Sequence, residues 1–174
     1  TDSWIEKCKD GAYFREPDEW VPFQAREEIV KRKKKDPVKV TFYENPHGTL
    51  EGDPNEEGYY LATAWAPGSA GAATNNKFVE IFDAKTVEQG MNLLGELEVS
   101  FDWVIVDNRG NIGYQMSGLV PKRRDGISGF VALPGWKPEN AWQGFEKPED
   151  LPRSYNPECG YFVAANQDKN EHGK

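Results

Sequence analysis

Histidine, cysteine and methionine are scarce in this chain, with two of each among 174 residues. The histidines, His47 and His172, have no second His or Cys at ligand spacing, which argues against a zinc site and a histidine-based catalytic dyad. Cys8 and Cys159 can pair only if the two ends of the chain meet. Two free, partly buried thiols fit better, and the pair fixes no redox compartment. No apolar stretch approaches the roughly 20 residues of a membrane helix, and the opening Thr-Asp-Ser-Trp-Ile-Glu-Lys has no signal-peptide pattern. Excess positive charge is lacking too. A net charge of −8 and a pI near 4.9 make nucleic acid an unexpected partner, because phosphate binding needs a net or clustered positive field. The one basic run, at 31–35, is flanked by Glu27 and Glu28 and followed by Asp36-Pro37, and reads as a solvated strand end and hairpin loop. Gly-Asn-Ile-Gly at 110–113 lacks the Lys-Ser/Thr pair and following helix of a phosphate loop, and reads as a tight turn between two strands.

What is present points to a folded, β-rich chain. A hydrophobic content of 37% with 13% aromatics supports one domain with a real core over residues 1–174. Short alternating runs bounded by Pro, Gly, Asn and Asp predict strands at 2–7, 11–15, 20–30, 38–44, 59–66, 103–107, 112–118 and 161–165. One helix stands out: Thr86 caps it, Gln89 sits at the capping-box position, and Val87, Met91, Leu94 and Leu97 share a face. A shorter helical turn is expected at 78–82, a flexible surface loop at 67–76, and a frayed tail at 168–174. From residue 119 onward periodicity fades, yet Trp136, Trp142, Phe145 and Tyr155 predict a loop-rich region pinned to a surface. The expected fold class is mainly β, a β-roll or barrel-like domain of antiparallel strands with one or two short helices and a long loop-rich C-terminal region.

From residue 103 a series of motifs appears. Trp103-Val-Ile-Val-Asp107-Asn-Arg-Gly110-Asn111-Ile112-Gly113-Tyr114 is followed by Gly118-Leu-Val-Pro121-Lys-Arg123. Then come Pro134-Gly135-Trp136, Trp142-Gln-Gly144, Leu151-Pro152, Asn156-Pro157, Gly160 and Val163-Ala164-Ala165-Asn166-Gln167. In this order and at these spacings they resemble the penicillin acylase family of N-terminal-nucleophile hydrolases. Upstream, Glu6, the aromatic strand at 11–14, Arg26-Glu27-Glu28-Ile29 and His47-Gly48 agree less sharply. Thr49 replaces a proline that often follows His-Gly, and Gln167 replaces the second Asn of the final element.

The resemblance implies an internal fragment of the large, β subunit of an acylase that cleaves a linear acyl-amide C–N bond. In that family a self-processed N-terminal Ser attacks the amide with its own α-amine as base, chemistry that suits a chain poor in histidine. That nucleophile would lie outside this chain. Thr1 reads instead as the interior of a longer sequence, so the polypeptide alone is expected to be inactive. By resemblance, the Asn166 side-chain amide donates to the tetrahedral oxyanion; an isolated Asn there would otherwise read as a strand-end cap. Trp65 and Phe101 fall where the family places apolar walls of the acyl pocket, against the reading of ordinary core aromatics. Asp2 matches an aspartate that ligates a structural calcium in some members, and Thr1 a residue that gives a backbone carbonyl. No cofactor is required for the chemistry, and calcium, which needs about six or more oxygens, would be held poorly by Asp2 alone. Implied partners are a small acyl-amide substrate and the remaining segments of the same precursor, its small subunit and the rest of its large subunit; no nucleic acid and no membrane span are expected. The resemblance favours a periplasmic or extracellular location. Two rival readings remain: a non-catalytic β-rich module using six tryptophans as a platform for glycan or peptide, and a calcium-dependent structural domain.

Overall fold

A computed structural model describes residues 1–69 and 71–165. In chain order its strands and helices are β1 (Asp2–Lys9), β2 (Ala12–Arg15), β3 (Glu19–Pro22), β4 (Gln24–Arg32), β5 (Lys35–Asn45), β6 (Gly48–Glu51), β7 (Gly58–Ala64), α1 (Gly71–Glu80), α2 (Val87–Gly95), β8 (Asp102–Val106), β9 (Ile112–Met116), β10 (Leu133–Pro134) and β11 (Arg153–Tyr155). They gather into two compact units, residues 1–65 with 123–142, and residues 66–122 with the chain from 143 onward. The mainly β class with short helices is as the sequence predicts.

The first unit is a curled sheet of order β3-β2-β1-β7-β6-β5-β4, antiparallel along that path, with β10 added parallel to β1. Strand β1 shows why the sheet has an inside: Asp2, Trp4, Glu6 and Cys8 alternate inward while the residues between them are half-buried. Cys8, Tyr13, Phe23, Leu50 and Ala62 form the apolar cluster. The predicted strand at 20–30 is in fact two, β3 and β4, broken at Phe23. Pro22 has no N–H for a ladder, and Phe23 turns inward, its ring edge-on to Tyr13 at 4.9 Å and to Tyr43 at 6.4 Å. Beyond that break β4 pairs with β5 alone, and β5 meets β6 only at Glu44 and Asn45. Residues 25–43 therefore form a two-stranded ribbon, and the basic run is its tip.

The second unit packs α1 and α2 with the sheet β11-β9-β8. Thr86 caps α2 as expected, its Oγ1 accepting from Gln89 N at 3.2 Å, while Gln89 Oε1 accepts from Lys85 N at 2.7 Å. Val87, Met91, Leu94 and Leu97 are all buried, Leu97 just past the helix end. Gly113 explains itself by packing: a Cβ there would lie 2.6 Å from Met91 Sδ, so only glycine lets α2 lie on β9. In the turn before β9, Asp107 Oδ1 accepts from Arg109 N and Asn111 N at 2.9 and 3.0 Å. Asn156 donates to Asn111 Oδ1 at 2.9 Å and accepts from Ile112 N at 2.8 Å. Two motifs far apart in sequence thus close one turn.

Two further expectations fail. Residues 67–69 and 71–76 are not a loop: the former belong to a 3-10 turn at Ala66–Ser69 and the latter to α1, and the helix expected at 78–82 is the end of α1 followed by a 3-10 turn at Ile81–Asp83. Alanine at 72 and 73 is the best helix former, and Lys77 anchors the far end to Glu80 and Glu96 at 3.1 and 2.7 Å. The run at 161–165 alternates like a strand but forms none, and Tyr161 and Val163 are exposed. Alternation specifies a strand only where a sheet face is available to bury it. The expected frayed tail at 168–174 lies outside the described residues.

Candidate functional site

The inward face of β1 gathers most of the buried charge of the first unit. Glu6 is wholly buried, and its carboxylate takes a forked ion pair from Arg15, Nη1 to Oε2 at 2.6 Å and Nη2 to Oε1 at 3.1 Å. Asn45 Nδ2 donates to Oε1 at 2.8 Å, and His47 Nδ1 approaches the same oxygen at 2.7 Å. An ionised carboxylate only accepts, so Nδ1 carries the proton and donates to Glu6. Burial opposes ionisation of Glu6, but the hydrogen bonds from His47, Arg15 and Asn45 and the charge of Arg15 outweigh it, bringing its pKa from 4.5 down to about 2. The His47 ring stacks on Trp4 at 4.4 Å, and Trp4 Nε1 donates to Asn140 O at 3.0 Å.

Asp2 lies on the same face. Arg123 Nε and Nη2 donate to its two oxygens at 2.8 Å each, and Trp142 Nε1 donates to Oδ2 at 2.6 Å. Burial again opposes ionisation and again loses, here to the Arg123 and Trp142 hydrogen bonds and the Arg123 charge, so the pKa is lowered. Between these two clusters runs the chain through Pro134-Gly135-Trp136. Gly135 N donates to Ile5 O at 2.8 Å, and a Cβ on Gly135 would stand 2.6 Å from Glu6 Oε2. That is why a glycine sits over the carboxylate.

Chemically, these clusters hold rather than react. Glu6 is fully engaged, and Cys8 is a buried thiol whose pKa is pushed up to about 12 by burial and by the Glu6 charge, so it is no thiolate nucleophile. The Asp2 carboxylate is taken by a guanidinium and an indole, and among the described residues no group of three His, Cys, Asp or Glu side chains is placed to hold a metal. That donor set is one of an internal ion pair and does not fit calcium, which needs several oxygens turned toward one point.

Trp65 follows β7 in the first unit and is 62% exposed. Phe101 precedes β8 in the second unit and is 54% exposed, its ring edge-on to Trp103 at 5.5 Å, while Trp103 Nε1 donates to Ser117 Oγ at 2.9 Å. Neither side chain is ordinary core. Asn166 lies outside the described residues. Sequence reasoning missed the pairing of Glu6 with Arg15, Asn45 and His47, and of Asp2 with Arg123 and Trp142. The signal was present: acidic residues at alternate positions of β1 share a face with Trp4 and Cys8, and Glu6, His47, Arg123 and Trp142 all belong to the quoted motifs. Among the described residues no helix is long and apolar enough to cross a membrane.

The family model described as penicillin amidase matches residues 1–174. An acyl-homoserine lactone acylase QuiP of Pseudomonas fluorescens is 29% identical over 95% of this chain and 21% of its own length. Penicillin G acylase of Escherichia coli is 25% identical over 87% of this chain and 18% of its own length. This chain thus spans about a fifth of the length of the curated relatives it matches. Among solved structures, a thermostable penicillin G acylase from Alcaligenes faecalis superposes with a TM-score of 0.86 at 20% identity, over 98% of this chain and 31% of that one, a likeness of fold. With the whole length matched by one model, the chain belongs to the penicillin amidase family.

Proposed function

We propose that the protein of which this sequence forms part is an acylase that hydrolyses the C–N bond of a linear acyl amide, and that this segment contributes to the active site without supplying the nucleophile. The observation that carries the reading is the match of the penicillin amidase model across all 174 residues. In this reading an N-terminal serine elsewhere in the precursor attacks the amide carbonyl with its α-amine as base. The side-chain amide of Asn166 donates to the oxyanion, and Trp65 and Phe101 wall the acyl group. The exposure of both aromatics at strand ends supports that assignment, since each presents a large apolar face. Relatives named acyl-homoserine lactone acylase and penicillin G acylase support a small acyl amide as the substrate class. A periplasmic or extracellular site of action goes with the same reading.

The test uses the full-length processed enzyme. Asn166→Ala is expected to lower kcat by roughly 100-fold or more, the magnitude of a lost oxyanion donor, with processing and KM little changed; unchanged kcat would remove Asn166 from the mechanism. The isolated 174-residue chain is expected to hydrolyse no acyl amide, and turnover by it that Thr1→Ala abolishes would overturn the division of labour. The tryptophan-platform alternative finds less support: of six tryptophans only Trp20 and Trp65 are exposed, and Trp4 is buried between His47 and Trp142.

A further inference from the structure

Residues 25–43 of the β4–β5 ribbon serve neither cluster on β1 nor either candidate pocket wall, yet they differ from the rest of the surface. All nine residues of β4 are exposed, as are the first five of β5. At the tip, Lys31, Arg32, Lys33, Lys34 and Lys35 stand in succession against one acid, Asp36, in a chain whose net charge is −8. The acids of the stem are already answered: Glu27 by Lys39 at 2.6 Å, and Glu28 and Glu44 by Arg26 at 2.7 and 3.1 Å. Arg32 donates across the turn to Asp36 O at 2.8 Å. Among the described residues Lys31, Lys33, Lys34 and Lys35 enter no ion pair. Just behind these cations lie bare aliphatic side chains: Ile29 is 70% exposed, and Val30 and Val38, directly opposite each other in the ladder, are 46% and 37% exposed.

We infer that the ribbon tip is a docking element for an anionic lipid bilayer. Four unpaired ammonium groups match a surface of anionic headgroups, each contributing about 1 kcal/mol to attraction there, and aliphatic groups behind them match the boundary just below the headgroups. Aliphatics rather than aromatics at the tip disfavour single-stranded nucleic acid, whose bases need stacking partners. Reach resolves the conflict with the acidic body. Nine residues of strand span about 30 Å, whereas the screening length at physiological salt is about 8 Å. The tip therefore meets a membrane as a local cation, with the body's repulsion largely screened.

The test is sedimentation of the full-length protein with vesicles of phosphatidylcholine containing about 30% phosphatidylglycerol, against phosphatidylcholine alone. Binding is expected only to the anionic vesicles and is lost in high salt. Lys33→Gln with Lys34→Gln lowers partitioning roughly 25-fold, Ile29→Ser lowers it further, and Lys85→Gln, in the second unit, leaves it unchanged. Melting curves matching the parent confirm that the exposed substitutions leave the fold intact. Equal binding to both vesicle types, no binding to either, or indifference to the double substitution overturns the inference. So does salt-sensitive capture on heparin or DNA together with vesicle binding that ignores Ile29→Ser, since that pattern marks a generic polyanion patch.

Discussion

The stripe on β1 and the ribbon of β4 and β5 belong to one sheet and use the same charged residue types, but in opposite ways. On β1, Asp2 and Glu6 are buried and each is gripped by a forked arginine plus further donors. On the ribbon, Glu27–Lys39 and Arg26–Glu28 pair directly but in the open, exposed to solvent. An exposed pair contributes about 0–1 kcal/mol, whereas stripping one partner from a buried pair costs roughly 3–5 kcal/mol, because the survivor is left charged and dry. The number of ion pairs therefore says little about stability; their depth says most of it.

Breaking the stripe is the strongest test of that contrast. Glu6→Gln leaves the half-buried Arg15 without its counter-charge and is expected to destabilise the first unit by about 3 kcal/mol, measured by urea denaturation or amide exchange in β1 and β7. The parent should show a matching acid transition. Glu6 has a folded pKa of about 2 against an ordinary 4.5, so its contribution is complete above the higher value and lost as pH falls through the lower one, with Asp2 adding in the same direction. Stability that is flat from pH 6 down to about 2 would deny the burial argument.

The second unit provides the apolar counterpart. Leu94→Ala removes a buried side chain from the α2 face and is expected to cost about 3 kcal/mol, with no change in the acid transition assigned to Glu6. A smaller effect tests the helix start: Thr86→Ala forfeits the cap on Gln89 N and should lower stability by about 1 kcal/mol, read from exchange of the first turn of α2. At the bottom of the scale, Lys39→Ala on the ribbon is expected to change stability by less than about 0.5 kcal/mol; a loss comparable with that of Glu6→Gln would erase the distinction between deep and shallow pairs.

Much of the scaffold was legible from residue patterns. Strands β1, β8 and β9 announced themselves by alternation, and α2 by its cap and apolar face, because in these elements local preference and tertiary burial agree. The motif series led to the family because Gly113, Gly135 and Asn156 occupy positions where packing or a turn admits little else. Failures arose where a pattern needed a partner that no local window shows. Residues 161–165 alternate without forming a strand, residues 67–69 and 71–76 are helical despite their Gly and Ser, and Phe23 divides one apparent strand into two. The ion pairs were hidden for the same reason: Asp2 meets Arg123 across 121 positions, and a spacing of that size carries no local signal. Of the candidate active-site residues, Trp65 and Phe101 proved to be exposed aromatics, a property their strand-end positions left undecided.

The two thiols differ in a way that makes the molecule chemically addressable. Cys8 is buried on β1 and held protonated, whereas Cys159 is exposed, its Sγ near Tyr161 O at 3.4 Å. A maleimide reagent applied to the native chain should therefore attach once, at Cys159, and attach a second time only when β1 comes away from its neighbours. A fluorophore or spin label can be installed near the chain's end without engineering, and the second equivalent then serves as a clock for the opening of the sheet.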